Sequence, residues 1–111
     1  MKKVYLATPY TGTPEQEEER FQEAIRITRQ LIGQGIIPFS PIVQSHLVAK
    51  DHLPGDHGYW KKFNESWLEW ADEVWVAKMP GWEQSRGVRW EVGYAKAAGM
   101  TVKFINQDDE K

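Results

Sequence analysis

Apolar residues follow two alternating kinds of spacing along this 111-residue chain. Short runs of β-branched and aromatic residues predict strands, and apolar residues three and four positions apart predict amphipathic helices. The predicted strands cover residues 3–7, 36–39, 73–77 and 101–105, and the main helices begin near 13, 59 and 85 and end near 33, 70 and 99. This alternation predicts a single α/β domain over residues 1–111, with a parallel sheet and helices on both of its faces.

The first main helix carries clear start and stop signals. Thr13 is the predicted N-cap, Pro14 occupies the first helical position, and Gln16 completes a capping box. Gly33 and Gly35 are expected to end the helix. The predicted inner face consists of Phe21, Ala24, Ile25, Thr28, Leu31 and Ile32.

Ligands of open parallel sheets bind at the carboxyl ends of the strands. In this chain those ends fall at residues 7–11, 39–41, 78–83 and 105–106. The second of them leads into a loop over residues 40–58 that is rich in Pro, His, Asp and Gly, with one helical turn expected within residues 44–50. Loops of this length usually carry function or move. We therefore expect the site at this edge of the sheet.

The segment Ser85–Ala95 contains the most informative pattern in the sequence. Val88, Val92 and Ala95 mark the buried face of the predicted helix. Glu91 lies three residues after Val88 and four before Ala95, so it points partly toward the same side. A buried charge is costly unless it is paired or used, which makes Glu91 a candidate nucleophile.

The position of Glu91 near a helix N-terminus is expected to favour its ionised form. The alternative is a surface glutamate that pairs with Arg86 or Arg89. Ser85 and Gly87 open the same helix, where free amide groups and a glycine suit a phosphate. For Ser85 the alternative is a simple helix cap.

The turn after the first strand, Ala7–Gly12, lies where a phosphate loop would, but it has neither the G-x-G-x-x-G nor the Walker A spacing. A common dinucleotide or ATP site is therefore not expected. Tyr5 and Tyr10 are candidates to stack on a base or contact a sugar. On the second main helix, Trp60, Phe63 and Trp67 are predicted to face inward, together with Asn64, which would need hydrogen-bond partners.

Three histidines and two aspartates cluster in and beside the long loop: His46, His52, His57, Asp51 and Asp56. Their spacing matches no common metal-ligand motif, so no metal site is predicted. His46 is the best individual candidate for a substrate contact.

Composition narrows the class of protein. The chain is 41% hydrophobic and 27% charged, has a net charge of −2, and contains no cysteine. Disulfides and thiolate chemistry are thereby excluded. No basic patch indicates a nucleic-acid polymer as a partner, and no apolar run indicates a membrane span or signal peptide. We expect a cytoplasmic protein. Six tryptophans exceed what a core of this size needs, and they favour a homodimer or higher homo-oligomer.

Four motifs occur together in chain order: residues 4–10 (Val-Tyr-Leu-Ala-Thr-Pro-Tyr), Phe39-Ser40-Pro41, residues 71–76 (Ala-Asp-Glu-Val-Trp-Val), and Pro80-Gly81-Trp82 followed by Ser85-x-Gly87-Val88-x-x-Glu91-x-Gly93-x-Ala95. With them the chain resembles the nucleoside 2-deoxyribosyltransferase superfamily, and within it the small bacterial and phage proteins of the DUF1937 type. The resemblance implies a flavodoxin- or Rossmann-like doubly wound parallel sheet of four or five strands in three layers. It also implies cleavage or transfer of an N-glycosidic bond.

The resemblance assigns roles to individual residues. Glu91 would attack the anomeric carbon and form a glycosyl-enzyme, which a base or water resolves. Ser85, with the Gly87 amide, would hold the 5′ end of a nucleoside or, because serine rather than aspartate stands there, of a nucleoside 5′-monophosphate. The remaining substrate contacts would come from Tyr5, Thr8, Pro9, Tyr10, Ser40, Pro41 and His46. No cofactor or metal is expected, because a carboxylate nucleophile needs none.

Two positions differ from the family pattern. Asn64 stands where an aspartate of the family usually helps to protonate the leaving base. Either another acid replaces it (Asp56, Glu65 or a residue of a neighbouring subunit), or base departure is slow, or the protein is not an active hydrolase. Pro9 and Thr11 stand where nucleotide hydrolases carry serine and arginine for phosphate contact. Asn64 therefore supports a second hypothesis, a non-catalytic module that binds or sequesters a nucleotide. A protein that only keeps the fold for interactions is a third.

Overall fold

A computed structural model describes residues 1–48 and 57–106. Strands and helices alternate through this part of the chain: β1 Lys3–Ala7, α1 Pro14–Gly33, β2 Ile37–Phe39, α2 Pro41–Ser45, α3 His57–Trp70, β3 Glu73–Ala77, α4 Arg86–Ala97 and β4 Thr101–Ile105, with a 3-10 turn over Trp82–Gln84 between β3 and α4. The predicted strands and main helices are confirmed, with ends shifted by one or two residues. None of the described helices is long and apolar enough to cross a membrane.

The four strands form one parallel sheet in the order β2-β1-β3-β4. β1 lies between β2 and β3, so the chain reverses its direction of winding beside β1. At this topological switch point the loops that follow β1 and β3 separate and leave a crevice. The predicted doubly wound α/β fold is confirmed, and its crevice lies above β1 and β3.

Helices cover both faces of the sheet and create two apolar layers. On one face, Val4 and Leu6 of β1 pack with Ile27 and Leu31 of α1. On the other face the packing partners come from β1, β3, α3 and α4: Tyr5, Ala7, Val74, Val76, Leu68, Val88 and Ala95. Because alternate residues of β1 point to opposite faces, Tyr5 lies under α4 while its neighbours lie under α1.

Helix α1 begins as its sequence predicts. The Thr13 side chain accepts a hydrogen bond from the Gln16 amide, and the Gln16 side chain bonds back to the Thr13 amide. The predicted inner face is partly wrong, because Ile27 is buried while Ile32 is 58% exposed. Ile32 lies about 100° around the helix from the buried Leu31, which turns it away from the sheet. Ile25 and Thr28 are half-buried.

Most aromatic residues of α3 are half-buried, and Tyr59 is exposed. Trp60, Phe63 and Trp67 face partly inward as predicted, but within residues 59–70 only Leu68 is fully buried. Trp67 stacks on Phe39 at a ring-centroid distance of 4.1 Å. The helix therefore packs on β2 and β1 through stacked aromatic rings, and the outer edges of these rings stay accessible.

Candidate functional site

The described residues enclose a cavity of about 1030 Å³ above the carboxyl ends of β1 and β3. Its walls come from the loop after β1, the start of α1, helix α2, helix α3 and the start of α4. The lining residues are Thr8, Pro9, Tyr10, Thr11, Pro14, Glu17, Glu18, Arg20, Pro41, Ile42, Ser45, His46, Trp60, Asn64, Gly81, Gln84, Ser85, Arg86, Gly87 and Glu91. Its size and position are those of a small-molecule site in a doubly wound sheet.

Glu91 lies in the wall of this cavity and is only 5% exposed. Its carboxyl group accepts a hydrogen bond from the hydroxyl of Tyr5, a fully buried residue of β1. The alternative of a surface glutamate paired with an arginine is therefore wrong: the Arg89 guanidinium instead donates to the Glu83 carbonyl oxygen. The inward direction of Glu91 follows from its spacing to Val88 and Ala95, as predicted.

The ionisation state expected for Glu91 needs correction. Burial raises the pKa of Glu91 to about 8, while the Tyr5 hydrogen bond acts in the opposite direction. Desolvation outweighs the helix N-terminus because Glu91 lies in the second turn of α4, beyond the free amide groups of the first. Burial, followed by the charge of Glu91 and the hydrogen bond, also raises the pKa of Tyr5. In the free protein Glu91 is thus mostly protonated at neutral pH.

The N-terminus of α4 opens into the same cavity. The Ser85 hydroxyl oxygen caps the helix by accepting from the Val88 amide at 3.2 Å, and Ser85 also lines the cavity. Capping uses the oxygen, so the hydroxyl proton stays available to a ligand. At Gly87 an added Cβ would meet no atom of residues 1–48 and 57–106 closer than the Ser85 hydroxyl oxygen at 3.8 Å. Packing within the protein therefore does not require a glycine at position 87.

Two buried polar atoms of the cavity wall have no hydrogen-bond partner within residues 1–48 and 57–106. They are the Thr8 hydroxyl oxygen and the Asn64 side-chain oxygen. Leaving a buried polar atom unpaired costs about 1–3 kcal/mol. A polar ligand that bonded both atoms would recover this cost.

A chain of hydrogen bonds crosses the wall on the side of α1 and α2. The Tyr10 hydroxyl lies 2.7 Å from His46 Nδ1, and His46 Nε2 lies 3.0 Å from the Glu18 carboxylate. The imidazole stacks on the buried Phe21 ring at 4.2 Å. Burial and the charges of Glu17 and Glu18 raise the pKa of Tyr10. His46 is therefore held on both ring nitrogens and one face.

Arg20 of α1 lines the cavity beside the loop that follows β1. Its guanidinium donates to the carbonyl oxygens of Tyr10, at 3.3 Å, and Thr11, at 2.7 Å. Gly81, with φ of +90°, lies against it, and an added Cβ there would come within 2.8 Å of the guanidinium. Arg20 thus holds the loop after β1, and its guanidinium lies close to the loop after β3.

Most of the predicted site residues come together. The cavity wall includes Thr8, Pro9, Tyr10, Pro41, His46, Asn64, Ser85, Gly87 and Glu91. Tyr5 lies beneath the wall behind Glu91, and Ser40 is buried as the cap of α2, accepting from the Val43 amide, so neither lines the cavity. His52, Asp51 and Asp56 lie outside the described residues.

Arg20 and Glu18 are cavity residues that the sequence reasoning missed. Both lie on the first turns of α1, where a helix rich in charged residues looks like an ordinary solvated surface. Of these two residues, only Arg20 could have been found from helical spacing, because it lies on the same side of the helix as Glu17 and the buried Ala24. Within the described ranges no group of three or more His, Asp or Glu side chains could hold a metal ion.

Comparison with known proteins gives a family and a fold. The model of a family described as "Domain of unknown function (DUF1937)" matches residues 2–107. A 2-deoxyribosyltransferase from the psychrotolerant bacterium Bacillus psychrosaccharolyticus is similar in structure, with a TM-score of 0.62 and 23% identity, over 98% of this chain and 75% of that one. A 2-desoxiribosyltransferase from Leishmania mexicana has a TM-score of 0.63 and 19% identity, over 97% of this chain and 66% of that one. No curated protein matches the sequence.

The raised pKa of Glu91 predicts how stability depends on pH. The unfolded state loses this proton near pH 4.5, whereas the folded state keeps it up to about pH 8. The fold is therefore destabilised as pH rises from about 4.5 to about 8. Glu91→Gln removes the titration and still accepts from Tyr5. Its free energy of unfolding relative to wild type should therefore rise across this window by on the order of 2 kcal/mol or more, and then level off.

Thermal or urea unfolding of both proteins between pH 5 and 9 measures this difference. Glu83→Gln, at an exposed position, controls for the loss of a negative charge. A difference between Glu91→Gln and wild type that does not change with pH would contradict the burial of an ionisable carboxyl group.

Proposed function

This chain belongs to the DUF1937 family, and from its fold and cavity we propose that it cleaves or transfers the N-glycosidic bond of a nucleoside or nucleoside 5′-monophosphate, with Glu91 as nucleophile. One observation carries the proposal. The buried carboxyl group of Glu91, hydrogen-bonded to Tyr5, lies in the wall of a cavity that also contains an open helix N-terminus. The 2-deoxyribosyltransferases that share the fold support the choice of substrate class.

The substrate has an orientation that fits the polarity of the cavity. The 5′ end of the sugar, or its phosphate, lies at Ser85 and the amide groups around Gly87, where the helix N-terminus favours negative charge. The base lies toward Trp60, whose ring offers a stacking surface, and toward Tyr10, and its polar edge meets Asn64. This orientation brings the anomeric carbon to the carboxyl group of Glu91.

Glu91 then acts as in retaining glycosidases. Its ionised oxygen forms a bond to C1′ as the bond between C1′ and the base breaks, and the positive charge that develops on the sugar stabilises the carboxylate. The Tyr5 hydroxyl donates to the carboxylate and holds its rotamer. Water or a second base attacks C1′ of the glycosyl-enzyme and releases Glu91, which gives hydrolysis or transfer respectively.

A second candidate function is binding without chemistry. Asn64 carries no titratable proton, and its unpaired oxygen is suited to a hydrogen bond with a ligand base. A module that sequesters a nucleotide would use the same cavity and leave the glycosidic bond intact. Release of free base over hours, measured beside binding, separates the two functions.

Glu91→Gln should lower kcat for base release by at least about 1,000-fold, because an amide cannot form the glycosyl ester. The assay is chromatographic detection of free base from a panel of ribo- and deoxyribonucleosides and their 5′-monophosphates. Retained turnover in this variant would remove Glu91 from the role of nucleophile. Binding of the same panel, measured by calorimetry, should persist and thereby shows that the site is intact.

Gly87→Ala should separate stability from ligand binding. Alanine is favoured over glycine in a helix by about 0.5–1 kcal/mol, and its Cβ meets no close protein atom, so the melting temperature should stay equal or rise. Binding of nucleoside 5′-monophosphates should weaken at least about tenfold if the phosphate approaches this backbone. Gly93→Ala, at an exposed position of α4 outside the cavity wall, is the matched control. Unchanged binding in Gly87→Ala would place the phosphate elsewhere.

We also propose that two or more copies of the chain assemble. Of the six tryptophans only Trp75 is buried, and the others remain half-buried in the described structure. Half-buried tryptophans at this density are typical of subunit interfaces. Light scattering should give at least twice the chain mass of 12.9 kDa. A particle of 12.9 kDa at micromolar concentration would contradict assembly.

A further inference from the structure

Cleavage of a nucleoside needs a proton for the departing base, since a base that leaves as an anion is a poor leaving group. Asn64 supplies none. We propose that Tyr10 donates this proton to the base and that His46 replaces it on Tyr10, with Glu18 holding the imidazole. The inference rests on the proposed function and names the acid of that reaction.

The three side chains have the order that a proton relay requires. Tyr10 lines the cavity and its hydroxyl lies 2.7 Å from His46 Nδ1, while the opposite ring nitrogen lies 3.0 Å from the Glu18 carboxylate. The His46 side chain is 9% exposed and Glu18 is 54% exposed. One end of the relay therefore meets the ligand and the other end exchanges protons with water.

The protonation state of His46 decides where the tyrosine proton points. When the imidazole is neutral and donates to Glu18 through Nε2, its Nδ1 accepts from Tyr10, and the hydroxyl proton is not available to a ligand. When the imidazole is protonated, both ring nitrogens donate, one to Glu18 and one to the Tyr10 oxygen. The hydroxyl proton is then free to turn toward the base.

Other acids of the described cavity wall are less suited to this role. Glu91 is assigned to C1′, and the guanidinium groups of Arg20 and Arg86 serve only as hydrogen-bond donors. Glu65, a candidate from the sequence, does not line the cavity. Glu17 is half-buried and accepts from the Gly12 amide, and Glu18 contacts His46. Among the described lining residues, His46 is the one that contacts the Tyr10 hydroxyl through a nitrogen able to carry a proton or give it up.

The step balances in protons and electrons. The bond between C1′ and the base breaks and its electron pair stays on the base, which takes the Tyr10 hydroxyl proton. Tyr10 takes the proton from His46 Nδ1, and the Glu91 carboxylate forms its bond to C1′. When water attacks C1′ in the second step, its proton returns to His46 through Tyr10, and Glu91 leaves as a carboxylate.

The reactive form needs no net uptake or loss of protons. Because burial raises the pKa of Glu91 to about 8, the resting site carries a proton on Glu91. Moving that proton to His46 gives an ionised nucleophile and a charged acid together. The substrate favours this form, because the carboxylate meets the developing positive charge of the sugar.

Two variants and two kinds of substrate test the relay. Tyr10→Phe removes the hydroxyl and keeps the ring, and His46→Gln keeps hydrogen-bonding groups without a titratable nitrogen. Each nucleoside that the wild-type protein cleaves is compared with nucleosides of 7-methylguanine and nicotinamide, whose bases are already cationic and leave without a proton. Tyr94→Phe, at a half-buried tyrosine outside the cavity wall, is the control.

Both variants should lose at least about 100-fold in kcat/KM with ordinary nucleosides and stay within about threefold of wild type with the cationic ones. Equal losses on both kinds of substrate would overturn the relay and leave Tyr10 and His46 as binding residues. Unchanged activity on both would also overturn it, while base release by the wild type would still support the proposed function. A wild-type protein that cleaves neither kind of substrate overturns the proposed function and the relay with it.

Discussion

The hydrogen bond between Tyr5 and Glu91 is the constraint on which the rest of the site depends. It joins the central strand β1 to helix α4 across 86 positions of sequence and lies within the apolar layer between them. Without a donor, a carboxyl group at 5% exposure would carry an unpaired polar group in the core. The tyrosine hydroxyl satisfies it and fixes its direction. Strand β1 and helix α4 can therefore approach each other closely around a polar group.

Two features beside this hydrogen bond determine what the site can do. The surrounding apolar side chains keep water from Glu91 and raise its pKa, so the group is a strong base once its proton is lost. The same helix begins at Ser85, at the edge of the cavity, and its free amide groups point to where a ligand would enter. A single helix thus carries both the buried carboxyl group and an open N-terminus in the wall of the same cavity.

The sequence was informative where local rules decide the outcome. Strand positions, the capping box at Thr13 and the inward direction of Glu91 follow from periodicity and neighbouring residues, and they are confirmed. The protonation of Glu91 could not be predicted in this way, because it depends on how completely α4 and β1 exclude water. The contact of His46 with Glu18 spans 28 positions and arises only when α2 packs on α1. The spacing of residues along the chain does not indicate such pairs.

Arg20 and Gly81 restrict which amino-acid substitutions this protein can accept during evolution. The guanidinium occupies the space that any side chain at position 81 would need, and the positive φ of Gly81 disfavours other residues in addition. A larger residue at 81 would displace Arg20 and release the Tyr10 and Thr11 carbonyl oxygens that it holds. A shorter residue at 20 would make space for a side chain at 81 but would not relieve the strain of the positive φ, so in a set of relatives position 81 should remain glycine.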